Sequence, residues 1–149
     1  MVKEKIRSKF INEWVLGMLL FVSVFIIFYQ GNIIKKSEEK LIYDLEQNMA
    51  IIQKSMIDLR DEKNFDDMHS AVKEMRVIGG YFDNLNNIDN LNEGGIGSLF
   101  REFDVMINDS KERACTFFEN EENRILLKKV SMNYEDWKSI NELIKRVGY

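Results

Sequence analysis

An uncharged run of sixteen residues, 14–29, constrains this chain more than any other feature, and Ser23 is the only polar side chain within it. With residues 30–34 the run reaches about 20 residues, the length of helix that crosses the roughly 30 Å hydrocarbon core of a bilayer. Trp14 and Tyr29 border the run, and aromatic rings favour the two membrane–water interfaces. We therefore predict a transmembrane helix over residues 14–34, surrounded by the lipid bilayer, with Trp14 and Tyr29 as its interface residues.

The residues that flank the run predict a retained anchor and its orientation. Cleavage of a signal peptide needs small residues at the third-last and last positions before the cut, whereas Gly31 here pairs with the bulky Tyr29. The tail, residues 1–13, carries four basic side chains, and residues 35–40 carry three lysines beside two glutamates. Because Lys and Arg concentrate on the cytoplasmic side, we predict a cytoplasmic N terminus and a domain outside the cytoplasm.

The 115 residues after residue 34 are enough for one small domain with a single core. The tail has four basic and two acidic side chains, so the total charge of -4 leaves -6 for the remaining residues. This acidic balance opposes nucleic-acid binding, which needs clustered Lys and Arg. The chain contains no proline, and this favours long uninterrupted helices. Its abundance of Asn and Ile is typical of an AT-rich genome, and we interpret the source as a bacterium or a phage.

A heptad-spaced apolar stripe follows the span without a break signal. Its members alternate spacings of three and four: Ile42, Leu45, Met49, Ile52, Met56 and Leu59. Leu41, Ile51 and Ile57 widen the stripe beyond the narrow seam of a coiled coil. We predict that residues 33–60 form one helix and that this helix-packing seam is buried in its own domain. An obligate coiled-coil dimer is the alternative.

A second apolar stripe predicts a second helix, which begins near Asn64 as its cap. Gly79 and Gly80 interrupt this stripe and weaken the helix unless a neighbouring backbone packs close to them. Residues 83–92 are rich in asparagine but keep apolar residues at threefold spacing. We predict that they continue the second helix.

The glycine-rich segment 93–97 is the clearest break in the chain, and Ser98 after it is placed to cap a third helix. A phosphate-binding loop is one interpretation of these glycines, but the Lys-Ser/Thr ending is absent and no strand precedes the segment. We therefore predict an interhelical loop. The third helix carries Phe100, Phe103 and Phe117 at heptad spacing, and we expect these rings in the core.

The last part of the chain also favours helices. Residues 125–130 fit a helix or a short strand, and the lack of a second strand candidate favours the helix. Asn133 is placed to cap a final helix, with Met132 and Trp137 as a hydrophobic staple and Gly148 as its end. Similar helix lengths and short connections predict an all-α protein, in which the transmembrane helix continues into an antiparallel three- or four-helix bundle over residues 35–149.

Few residues suit catalysis or metal binding. His69 is the only histidine, which excludes a helical di-iron site built from paired Glu-x-x-His motifs. Cys115, the only cysteine, could act as a nucleophile with His69 if a third group oriented the pair, but we favour a buried inert thiol. Glu119, Glu121 and Glu122 could bind a hard cation, but we favour a solvated acidic face. We expect no catalytic residue, no metal site, no cofactor and no enzyme activity.

The region from Phe10 resembles the N terminus of type IV pilins and pseudopilins, which join a basic tail, an apolar span and a long amphipathic helix. Those proteins place a glycine before the phenylalanine and a glutamate fifth from it, whereas Lys9 precedes Phe10 here and Glu13 stands fourth. The pilin head is also built around a sheet. The resemblance covers about the first 60 residues, and we assign the chain to no family.

These features favour a single-pass adaptor or regulator whose helical domain binds a protein partner at the membrane surface. Self-association as a structural subunit of a membrane assembly, lysis-regulating or pilus-like, is the first alternative. A small-ligand sensor is the second.

Overall fold

The computed structural model describes the backbone of residues 2–85 and 94–148, and the side chains in these ranges from residue 14 onward. Within them the chain is helical and contains no strand. The helices are α1 (Val2–Ser55), α2 (Glu62–Leu85), α3 (Ile96–Asp109), α4 (Lys111–Glu119), α5 (Glu121–Met132) and α6 (Trp137–Val147). The predicted all-α fold, one long apolar N-terminal helix followed by a helical bundle, is confirmed. The chain divides into two compact units, residues 1–39 and 40–149.

The first unit consists of the N-terminal part of α1. All of its side chains from residue 14 to residue 34 are exposed. Ser23 Oγ donates a hydrogen bond to the carbonyl of Leu19 at 2.8 Å, so the one polar side chain of the apolar run is satisfied within the helix. Among the helices of the described residues, α1 is the one long and apolar enough to cross a membrane. It is therefore a candidate membrane span.

The second unit packs the end of α1 and the helices α2 to α6 around one apolar core. Phe103 lies at its centre, with its ring centroid 5.1 Å from that of Phe118, 5.4 Å from Phe100 and 5.6 Å from Phe117. The planes of these pairs meet edge to face, an arrangement that adds about 0.5–1.5 kcal/mol per pair beyond burial alone. The prediction that these rings lie in the core is confirmed.

The region predicted as one third helix is two helices. Ser110 has an extended backbone (φ -154, ψ 113) that ends α3. Its Oγ accepts a hydrogen bond from the Arg113 amide at 3.2 Å and so caps α4. The apolar heptad pattern continues across this break because α3 and α4 both bury a face. The bundle is consequently assembled from more and shorter helices than the pattern alone indicates.

Two predicted helix caps are wrong. Asp61 Oδ1 accepts a hydrogen bond from the Asn64 amide at 3.0 Å, so Asp61 and not Asn64 caps α2. Asp136 Oδ1 accepts from the Ser139 amide at 3.2 Å and caps α6, while Asn133 lies at the end of α5. In both places an ionised acceptor occupies the position, and a negative charge is favourable at the positive end of a helix.

The remaining boundaries follow local signals with small shifts. The region 125–130 is helical, and Gly148 follows the last residue of α6, as predicted. Met132 is 77% exposed and does not form the predicted staple. The helix predicted over residues 83–92 is present as far as Leu85, and its remainder lies outside the described residues.

Candidate functional site

The predicted membrane interface residues lie on the exposed part of α1. Trp14 is 66% exposed and Tyr29 is 61% exposed. The helix rises about 1.5 Å per residue, so residues 14–34 span roughly 30 Å. This length matches the hydrocarbon core of a bilayer.

The predicted helix-packing seam lies on the part of α1 that belongs to the second unit and on the turn after it, because the helix predicted over residues 33–60 ends at Ser55. Its residues Leu45, Met49, Ile52, Met56 and Leu59 are at most 4% exposed, and Ile42 is half-buried against them. These side chains pack in the core of their own domain. Ile51 and Ile57, which were predicted to widen the seam, are 43% and 76% exposed. Ile57 lies in the turn after Ser55, where α1 ends, and its side chain is exposed, whereas Met56 and Leu59 in the same turn are buried.

Helices α2 and α3 approach each other closely at glycine residues. A Cβ atom added to Gly79 would lie 2.8 Å from the amide nitrogen of Gly97. A Cβ atom added to Gly97 would lie 2.6 Å from the amide nitrogen of Gly80. Real Cβ atoms do not come this close to backbone, so both positions require glycine. The crossing supplies the neighbouring backbone that the Gly79–Gly80 pair needs inside a helix.

Asp83, near the end of α2, caps α3 from the neighbouring helix. Its carboxylate accepts hydrogen bonds from the amides of Ile96 at 2.9 Å and Gly97 at 2.8 Å, and the residue is only 5% exposed. A Cβ atom on Gly95 would collide with this carboxylate. The predicted cap, Ser98, is therefore wrong. A phosphate at this helix start would need the amides that Asp83 already occupies.

A second buried carboxylate, Asp104, joins α3 to α2. Arg76 Nη1 lies 2.6 Å from Asp104 Oδ2, and Asn108 Nδ2 donates to Oδ1 at 2.9 Å. His69 Nε2 lies 3.4 Å from Oδ1 without the alignment of a hydrogen bond. Asp104 is thus paired and hydrogen-bonded, which is the condition for keeping a charge at a buried position. Its partners come from both helices, so the cluster fixes their register.

Cys115 is half-buried on α4, and its Sγ lies 3.8 Å from the carbonyl oxygen of Leu59. Burial raises the pKa of the thiol, and the nearby Glu119 carboxylate raises it further. A raised pKa disfavours the thiolate, which is the reactive form. The thiol of Cys115 faces the Leu59 carbonyl, whereas the imidazole Nε2 of His69 lies near the Asp104 carboxylate.

Two members of the acidic cluster at the junction of α4 and α5 form ion pairs. Glu119 Oε1 lies 3.9 Å from Arg60 Nε, and Glu122 Oε2 lies 2.9 Å from Arg146 Nη1. Glu121 is exposed. Within the residues that the structure describes, no group of three or more His, Cys, Asp or Glu side chains is placed to hold a metal ion.

A surface depression of about 680 Å³ lies between the end of α1 and the start of α5. We call it the α1–α5 groove; its lining includes Met56, Ile57, Glu121, Ile125 and Lys128. The sequence pattern does not predict this groove, because the groove depends on how two helices distant along the chain pack. The signal that was available is the presence of apolar residues outside the packing stripes of their helices.

Comparison with known proteins gives no relative: no protein family model, no curated protein and no solved structure matches this chain.

Proposed function

We propose that this protein is a single-pass membrane-anchored interaction protein, an adaptor or regulator whose helical domain binds a protein partner. The observation that carries the proposal is the nature of α1. Its exposed apolar residues, 14–34, would be unfavourable in water and favourable in lipid. The same helix then supplies the buried seam of the domain, so that an anchored span and a folded binding module share one element.

The buried aspartates of the described residues are engaged in contacts between helices, and this supports a binding role over a catalytic one. Asp83 caps α3, and Asp104 pairs with Arg76 between α2 and α3. The raised pKa of Cys115 opposes formation of a nucleophilic thiolate. Each of these groups has a role in helix packing, which is what a binding module requires of its interior.

A cysteine reporter tests the anchor and its orientation. In a Cys115→Ala background, Val105→Cys places the only thiol on α3, at a position that is 58% exposed. A maleimide that does not cross membranes should label this thiol in intact cells, because the four basic residues of the tail favour a cytoplasmic N terminus. Labelling only after lysis would reverse the topology. Recovery of the protein from the soluble fraction would overturn the anchor.

Purification in a mild detergent after cross-linking in cells tests the interaction role. We expect a defined complex with a second polypeptide at constant stoichiometry. Recovery of the monomer alone, under conditions that keep the domain folded, would contradict the proposed function.

A homo-oligomeric membrane subunit is a second candidate, because the α1–α5 groove carries Glu121 and Lys128, opposite charges that an antiparallel second copy would pair.

A further inference from the structure

We propose that the α1–α5 groove is a self-association surface, on which α5 packs antiparallel against α5 of a second copy of this chain. The proposal rests on the second candidate function named above, self-association, and identifies its surface.

Three large apolar side chains lie exposed at this surface. Ile57 is 76% exposed and Ile125 is 52% exposed, and both line the groove. Met132, which is 77% exposed, lies seven residues after Ile125 and therefore on the same face of α5. Met56 and Leu127 form the floor and belong to the core. The groove thus extends the apolar interior to the surface.

A hydrogen bond holds the two walls of the groove together. Gln53 Nε2, on α1, donates to Ser131 Oγ, on α5, at 2.9 Å. Ser131 Oγ in turn donates to the Lys128 carbonyl at 2.7 Å. A wall fixed in this way needs little reorganisation to receive another helix, which lowers the entropic cost of association.

The charges along α5 change sign within the groove. Glu121 lies at one end, and Arg124 and Lys128 follow toward the other end. Among the residues that the structure describes, these three side chains form no ion pair. An acidic start and a basic end complement the dipole of α5 itself. The dipole does not explain why three large apolar side chains are exposed beside these charges.

A twofold axis near residues 124 and 125 accounts for the charge pattern and for the exposed Ile125, whereas Met132 lies beyond the paired residues 121–128. It places Glu121 opposite Lys128 of the second copy, and by symmetry the same pair forms again on the other side of the axis. The Ile125 side chains of the two copies then lie near the axis and cover each other. A parallel arrangement would place like charges opposite each other, which is unfavourable. The surface therefore fits an antiparallel second copy.

Site-specific cross-linking of the full chain in native membranes tests the contact. In a Cys115→Ala background, Ile125→Cys should form dimers with a short bismaleimide because residue 125 lies near the axis. Val105→Cys is the matched control, since it has similar exposure (58% against 52%) on a different helix. Dimers at position 125 and not at 105 are expected. Equal cross-linking at both positions, or none at 125, would overturn the proposal.

Charge reversal tests the pairing itself. Glu121→Lys or Lys128→Glu, each in the Ile125→Cys background, should weaken self-association about tenfold, because each change alters two symmetry-related pairs. The double variant should restore it, and coexpression of the two single variants should give mainly the mixed dimer. Equal cross-linking in all variants with unchanged thermal unfolding would sink the idea. If this dimer is lost while a different protein is still captured, the self-association proposal fails and the adaptor role stands. If the dimer is intact but the protein is recovered from the soluble fraction, the membrane anchor fails and the self-association proposal stands.

Discussion

At the scale of single residues, the packing of α2 against α3 depends on glycine, the residue without a Cβ atom. Gly79 and Gly97 leave no space for a Cβ atom, because the backbone of the facing helix fills it. Gly80 is adjacent in sequence but has nothing within 4 Å of its Cβ position. Of the two neighbouring glycines of α2, the close crossing with α3 therefore requires Gly79 and does not require Gly80.

Alanine substitution separates these roles. Gly97→Ala should lower the free energy of unfolding by about 1–3 kcal/mol, because the new methyl group forces the helices apart. Gly80→Ala should be neutral or stabilise the domain by up to about 1 kcal/mol, because alanine is the better helix former. Thermal unfolding followed by circular dichroism in detergent measures both. Equal destabilisation by the two variants would contradict the close crossing.

At the scale of helices, the ends of the elements depend on carboxylates. Asp61, Asp83 and Asp136 each accept hydrogen bonds from amides at the start of a helix. Asp136 also accepts from Ser139 Oγ at 2.7 Å. The side-chain and backbone hydrogen bonds from Ser139 lower the pKa of Asp136. The stability that this cap contributes is therefore present above the ordinary pKa of an aspartate and is lost as the pH falls through its lowered value.

Asp136→Ala should cost about 1 kcal/mol at neutral pH, the usual value of a helix cap. The difference between the variant and the wild type should shrink in acid, because protonation removes the same interaction from the wild type. Asn133→Ala is the comparison, since Asn133 Oδ1 accepts one hydrogen bond from the Glu135 amide in the turn before α6. Unfolding measured across the acid range should show no such pH dependence for Asn133→Ala. A pH-independent difference for Asp136→Ala would contradict the cap.

The sequence predicts the helices better than it predicts their junctions. The apolar stripes identify α1 and α2 because burial repeats along a helix. The break at Ser110 is hidden, because the stripe on α3 continues in phase on α4. The cap by Asp83 is hidden for another reason: Asp83 and Ile96 are distant along the chain, and only the crossing of α2 and α3 brings them together. The α1–α5 groove has the same origin, because it depends on how two helices distant along the chain pack together.

At the scale of the whole molecule, the chain consists of two compact units with different proposed roles. Residues 14–34 of the first unit are proposed to interact with lipid, and residues 40–149 bury an apolar core of their own. The exposed residues of the span, such as Phe21 (75%) and Phe25 (65%), take no part in that core. Membrane insertion and domain stability should therefore respond to different substitutions.

A double substitution, Phe21→Lys with Phe25→Lys, should block stable membrane insertion, because each lysine near the bilayer centre costs about 2.5–3.5 kcal/mol. The thermal unfolding of the helical domain should be unchanged. Tyr43→Lys, at an exposed position of α1 outside the span, is the control and should remain in the membrane fraction. Carbonate extraction followed by immunoblotting distinguishes them. Unaltered insertion of the double variant would contradict the proposed span.

The placement of Asp83 has a consequence for how the domain opens. The first amides of α3 receive their acceptor from α2, so α3 is fully hydrogen-bonded only while α2 is docked on it. Separating the two helices would expose two amides and one buried carboxylate at the same moment. Native-state hydrogen exchange should therefore show the amides of Ile96 and Gly97 exchanging together with the central amides of α2, as one cooperative unit.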